Sequence, residues 1–238
     1  MMNRKLKQAL SDAFYAPPPT RKAAFLKQHR RRELGRWELI ALQVRYIRWW
    51  VWLLSLVLSS FILMTATLSA AESTPWYIAA LTPFLALLVI TENGRAQLYQ
   101  MDELELACRM SRQSVILARM VALGLFHLAL FGLLTPLLAV WSTVGAAQAG
   151  VYLLTPYLLT AALGMEVTRR IHGREGLLAC GAVAAAISVS GPLAINTRSA
   201  LYQPENLIWW GAALAAAMIA AAVEFTLNVK NMGELQWN

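Results

Sequence analysis

MVALGLFHLALFGLLTPLLAVWSTVGAAQAGVYLLTPYLLTAALGM, residues 120–165, runs for 46 residues without one Asp, Glu, Lys or Arg. A helix crosses the roughly 30 Å hydrocarbon core of a bilayer with about 20 predominantly apolar residues. This run is too long for one crossing and suits two. Its middle, Ser142-Thr143-Val144-Gly145-Ala146-Ala147-Gln148, is small and polar, which predicts the turn between them. The two spans are then placed at 118–141 and 149–165.

Working outward, Trp49–Ala71 is charge-free and predicts a first span at 49–71. Ser73–Thr91 is charge-free as well, with Pro75 near its start where proline is tolerated, and predicts a second at 75–91. On the carboxyl side, spans are expected at 176–195 and at 206–227, the latter running past Glu224. The fold class expected is all-α: a polytopic membrane protein with six transmembrane helices at 36–230, a basic arm at 1–35 and a tail at 231–238. Composition agrees. Hydrophobic residues make up 58% and charged residues 14% of 238, against about 45–50% and 25% in soluble domains. Disorder is excluded, and an ordinary soluble enzyme is not what this composition builds.

Charge placement tests the span count. Residues 1–48 hold 12 of the 21 Lys and Arg, opposed by Asp12, Glu33 and Glu38. With six spans and the amino terminus inside, 20 of the 21 basic residues fall in cytoplasmic segments and Arg198 stands outside. Cytoplasmic segments carry the Lys/Arg excess, so orientation and span count support each other, and the expected location is the cytoplasmic (inner) membrane with both termini cytoplasmic. No apolar core of a signal peptide precedes Trp49, and the amino terminus is expected to be retained. The basic arm admits a nucleic acid, anionic lipid headgroups, a topology signal or a protein partner. No nucleic-acid motif accompanies it, and nucleic-acid binding is not expected. Pro17-Pro18-Pro19 should end a first helix near 3–14.

Residues 36–48 predict an amphipathic helix. Glu38, Ala41, Arg45 and Arg48 fall on one narrow face, with Trp37 and Trp49-Trp50 near the ends. Such a helix lies in the membrane interface, where Trp37, Arg45 and Arg48 would meet headgroups, or it is the cytoplasmic start of span one. Residues 92–119 predict a turn at Asn93-Gly94 and then a helix on which Asp102, Glu105, Arg109 and Arg112 form one charged stripe. Glu105 and Arg109 make a favourable i,i+4 pair. By itself this is a solvated linker helix.

The layout as a whole says more. An interfacial helix, six spans, a helical loop between spans two and three and a longer external segment at 188–206 together resemble the membrane subunit of ABC-2 type transporters. The stretch MDELELACRMSRQSVILARM, residues 101–120, is similar to that family's loop, an acidic short helix leading into a span through a Ser and an Arg, here Ser114 and Arg119. The resemblance covers 36–230 and implies that Asp102, Glu105, Arg109 and Arg112 contact a cytosolic ABC ATPase subunit. It also implies a second permease copy or paired permease, and short re-entrant helices within 188–206, where the residues alone read as a plain loop.

No phosphate-cradling Gly-x-x-x-x-Gly-Lys-Ser/Thr occurs. The chain is therefore expected to be no enzyme itself, to bind no cofactor, and to depend on ATP held by a partner. Metalloprotease, serine-hydrolase and Cys-x-x-Cys motifs are missing too, and no metal site is expected. His127 is mid-span and is read as a hydrogen-bonding group between helices. Cys108 and Cys180 read as packing residues. Glu166 and Glu224 lie at span ends, where a carboxylate either serves transport or reaches water. The charge-free spans favour a lipid, peptide or other amphipathic cargo. The competing class is a membrane-anchored regulatory or scaffolding protein whose basic arm binds a cytosolic partner.

Overall fold

A computed structural model describes residues 35–68, 74–95, 99, 112–141, 145–171, 173–195 and 204–234. The chain divides into Met1–Gly35 and Arg36–Asn238. The basic arm of the first unit, with its expected helix at 3–14, lies outside the described residues.

The second unit is helical, with no strand among the described residues. Its α-helices are α1 (Arg36–Tyr46), α2 (Trp49–Leu68), α3 (Thr74–Asn93), α4 (Arg112–Trp141), α5 (Ala146–Arg170), α6 (Arg174–Ile195) and α7 (Leu207–Glu234). A short 3-10 turn, Pro204–Asn206, leads into α7. Four stretches are long and apolar enough to cross a membrane: Trp49–Leu68, Ser114–Trp141, Ala146–Arg170 and Leu207–Lys230. The chain is therefore built as a multi-pass membrane protein. The second and fifth expected spans coincide with α3 and α6. The described apolar stretch of α3, Tyr77–Asn93, is shorter than the four.

Several boundaries differ from expectation. The amphipathic helix ends at Tyr46 rather than at 48, and it is separate from α2. Ile47 closes it with a backbone bond to the Gln43 carbonyl (2.9 Å), and α2 starts afresh after Arg48. The 142–148 turn is shorter than expected because Ala146, Ala147 and Gln148 belong to α5. Alanine is the best helix former, and glutamine is also good. Helix α4 begins at Arg112, six residues before the apolar run expected to start at 118, since backbone helix continues past the membrane boundary. Helix α7 continues to Glu234, into the expected tail.

Prolines 83, 136 and 156 lie inside α3, α4 and α5 without breaking them. Each follows a threonine. A proline frees the carbonyl four residues back, and in an apolar medium that oxygen needs another donor. Thr82 Oγ1 donates to the Ala79 carbonyl at 3.1 Å, the one Pro83 leaves unpaired. Thr135 Oγ1 donates to Phe131 at 2.7 Å and reaches Gly132, the carbonyl freed by Pro136, at 3.5 Å.

Helix α5 is central and packs on α3, α4, α6 and α7. One buried cluster joins Ile62 and Ala66 of α2, Ile78 and Leu85 of α3, Phe131, Leu134 and Leu138 of α4, and Ala149, Tyr152 and Leu153 of α5. A second joins Ile47 to Val51, Val89, Ala122 and Leu123 near α1. Helices α3 and α5 meet closely at Gly164, where a Cβ would lie 2.1 Å from Ile90 Cδ1. Gly173, at φ +78°, makes the turn from α5 to α6. By contrast, Leu53, Leu54, Leu56, Val57, Phe61 and Met64 cover an exposed, large and apolar face of α2, as suits lipid.

Candidate functional site

Most of the described charged side chains gather at one end of the bundle. This end holds the carboxyl ends of α3, α5 and α7 and the amino ends of α2, α4 and α6. Glu205 stands at the other end. Between α3 and α4 the charges are buried. Glu92 is 5% exposed and Arg119 is 4% exposed. Arg119 donates from Nη1 to the backbone carbonyl of Glu92 at 3.2 Å. A guanidinium on the last turn of a helix satisfies one of its unpaired carbonyls and meets the negative end of its dipole. The Glu92 carboxylate accepts from Arg95 Nη1 at 2.9 Å. Arg95 in turn sits 5.8 Å from the ring centroid of Tyr46 in α1, within cation–π range. Three elements, α1, α3 and α4, are thus tied beside the carboxyl end of α3.

Helix α1 packs along α4, with Ile40 and Ile47 turned inward and Gln43 buried. Trp37 is 78% exposed, and Arg45 and Arg48 are exposed too. Trp37 and Arg45 therefore stand on the outer side of α1, and Arg48 is exposed in the break between α1 and α2. Of the expected stripe, Asp102, Glu105 and Arg109 lie outside the described residues. Arg112 opens α4, and its side chain lies outside the description. Glu92 was not singled out by sequence reasoning. Its place directly after the uncharged run that ends at Thr91 was the available signal, and it reads there as an ordinary loop residue.

A second polar joint ties α5 to α7. Arg169 donates from Nε and Nη2 to Glu224 Oε2 and Oε1 at 3.2 and 3.1 Å. Such a two-pronged pair is the strong geometry for a guanidinium and a carboxylate. Asn228 Nδ2 extends it, donating to the Glu224 carbonyl at 2.8 Å. Glu166 pairs with Arg170 one turn on. Both span-end carboxylates are thus held by arginines.

The third polar element is inside the bundle. His127, with no exposed surface, is 3.0 Å from Ser55 Oγ through Nε2 and 3.1 Å from the Tyr157 hydroxyl through Nδ1. It therefore bridges α2, α4 and α5, the interhelical role expected of it. Phe131 packs edge-on against Tyr157, at 5.1 Å between centroids. Cys180 is buried and reaches the Gly164 carbonyl, in keeping with a packing residue. Among the described residues, no group of three or more His, Cys, Asp or Glu is placed to hold a metal ion.

No family model, no curated protein and no solved structure matches this chain.

Proposed function

We propose that this chain is the permease subunit of an ABC-2 type transporter. It crosses the inner membrane six times, with α3 and α6 completing the spans, and both termini are cytoplasmic. A separate cytosolic ABC ATPase supplies the energy, a second permease chain completes the pathway, and the cargo is a lipid, peptide or other amphipathic molecule. The charge bias of the loops supports the orientation. The observation that carries the reading is the joint in which the buried Glu92 and Arg119 meet and Arg95 links Glu92 to the exposed Tyr46. A loop that receives force from a partner needs both its roots fixed to the helices it moves. The Glu92–Arg119 contact between α3 and α4, with α1 alongside, supports such an anchorage for the segment that joins them.

The test is a double reversal, Glu105→Arg with Arg109→Glu. The i,i+4 attraction survives in the weaker order, so helix stability changes by a few tenths of a kcal/mol. The potential offered to a partner is inverted, and mismatched charge at a docked interface costs several kcal/mol. The expected result is normal abundance in the membrane with loss of the ATPase from the purified complex. If the complex and transport survive the reversal, these residues do not couple the two subunits. The reading of a membrane-anchored regulator, whose basic arm at 1–35 forms a unit of its own, then gains.

A further inference from the structure

The exposed tryptophans and tyrosines among the described residues keep to the two ends of the bundle. Trp37, Tyr46, Trp49 and Trp50, with Tyr99 just beyond α3, stand at the end where the charges gather, and Trp141 and Trp209 stand at the other. Amphipathic rings settle at the headgroup level of a bilayer. The 20 residues of α2 measure about 30 Å, enough to run from one level to the other. Helix α1 and the start of α2 therefore lie at headgroup depth.

At that depth α1 is fixed on its inner side. Ile47 is buried with Val51, Val89, Ala122 and Leu123, Gln43 is buried, and Arg95 lies over the Tyr46 ring. Arg45 and Arg48 are left outside. Arg95, Arg169 and Arg170 pair with carboxylates, whereas among the described residues no carboxylate pairs with Arg45 or Arg48. Glu38, the acid of α1, is in its first turn, about two turns from Arg45. Helix α2 has no acidic residue in its first turn, so the positive end of its dipole adds to the two arginines. The exposed apolar face of α2 begins one turn further on, at Leu53 and Leu54, and continues through Val57 and Phe61.

We propose that the break between α1 and α2 is a docking site for an anionic phospholipid. Arg45 and Arg48 hold the phosphate, Trp49 and Trp50 pack at the glycerol level, and the acyl chains follow the exposed face of α2. Two guanidinium groups and a helix amino terminus exceed the charge of one phosphate. A zwitterionic headgroup brings a cation of its own and cancels much of the attraction, and an anionic headgroup does not. The 12 Lys and Arg of residues 1–48, against three acids, draw anionic lipid to the same leaflet. The occupant is a lipid because the arginine face runs without interruption into the lipid-facing side of α2, where a soluble partner cannot follow. The inference stands apart from the permease reading and needs only that α2 spans a membrane.

The test uses the full chain, with Cys108→Ser and Cys180→Ala as background, in nanodiscs of phosphatidylglycerol and phosphatidylcholine in equal parts. A bimane label is placed at Leu53→Cys on α2 or, as a control, at Leu133→Cys in the half of α4 nearer Trp141; both side chains are exposed. Bromines are carried on the acyl chains of one lipid or the other, and the quenching by each gives the local ratio of the two. Phosphatidylglycerol should exceed phosphatidylcholine several-fold at Leu53→Cys, and the two should be equal at Leu133→Cys. A basic residue near the surface is worth about fivefold in the partition of anionic lipid. Arg48→Gln should therefore cut the ratio by about that factor, and Arg45→Gln with Arg48→Gln should bring it close to the control. Arg45→Lys with Arg48→Lys should keep most of it, because the charge remains. Equal quenching at Leu53→Cys in the parent would overturn the proposal and leave the arginine face to a protein partner. A preference that survives the double glutamine variant would overturn it as well, since the basic arm would then suffice.

Discussion

At the scale of single residues, the described bundle is held by a few contacts whose loss has a defined sign. Within a bilayer there is little hydrophobic drive between helices, so close packing and polar pairs carry more of the specificity. Gly164 is one packing case between helices. A Cβ there would lie 2.1 Å from Ile90 Cδ1. Gly164→Ala should therefore push the Ile90 methyl aside and destabilise the protein by about 1 kcal/mol, the low end of the cost of overpacking, because only a side-chain tip is in the way. Adding Ile90→Ala should recover part of the loss, because it removes the clashing atom. Thermal melting in detergent checks both. The Arg169–Glu224 pair gives a second case. Arg169→Gln leaves a carboxylate that is 15% exposed without its cation. A cost of about 1–2 kcal/mol is expected, below the 3–5 kcal/mol of a fully buried pair, since Arg169 is itself a quarter exposed. The double change Arg169→Gln with Glu224→Gln should cost less than the single one, which a double-mutant cycle would show.

At the scale of elements, the proline-bearing α3 is served by the threonine before its proline, whereas in α5 Thr155 donates to Val151 and not to the carbonyl freed by Pro156. Thr82→Val preserves shape and removes the donor that serves the Ala79 carbonyl. The expected cost is about 0.5–1.5 kcal/mol, and Thr82→Val with Pro83→Ala should regain it, because the backbone N–H returns. Equal melting temperatures for Thr82→Val and the parent protein would mean that the carbonyl finds another donor. The same scale shows where helix boundaries came from. Charge-free runs mark where the membrane begins and ends, but a helix stops where its backbone loses partners. Ile47 and Gly173 are such stops, and neither sits at a change in hydropathy. Conversely α4 starts at Arg112, ahead of its apolar run, and α7 runs on past Lys230 to Glu234.

At the scale of the whole molecule, the six-span reading makes a topological prediction. Single cysteines at Ser73, Gln148 and Gln203 should react with an impermeant reagent from outside intact cells. Labelling of Gln148→Cys only after lysis would end the six-span proposal. A second prediction concerns energy supply. The purified chain should neither bind nor hydrolyse ATP, because its sequence has no Gly-rich loop ending in Gly-Lys-Ser/Thr. Hydrolysis that persists after every other polypeptide is removed would contradict the permease reading.

Much of this protein follows from its sequence alone. The absence of charge over 120–165, and over the shorter runs beside it, determines a helical membrane protein, because backbone groups in hydrocarbon must be satisfied within the segment. The crowding of Lys and Arg before Trp49 supports an orientation for the same chain, since charge resists transfer. His127 was legible as an interhelical group, because an imidazole within an apolar run needs a neighbour. Its partners were not. Ser55 and Tyr157 lie 72 and 30 residues away, and nothing in either local pattern separates them from other hydroxyls. Glu92 with Arg119, and Arg169 with Glu224, were hidden for the same reason. Pairing across 27 and 55 residues depends on which helix faces turn together. Hydrophobicity sets that a helix is in the membrane but leaves its rotation open, since all sides are apolar. Rotation is decided by the fit of Gly164 to Ile90 and by the few polar groups that must meet, and that is a property of the assembled bundle.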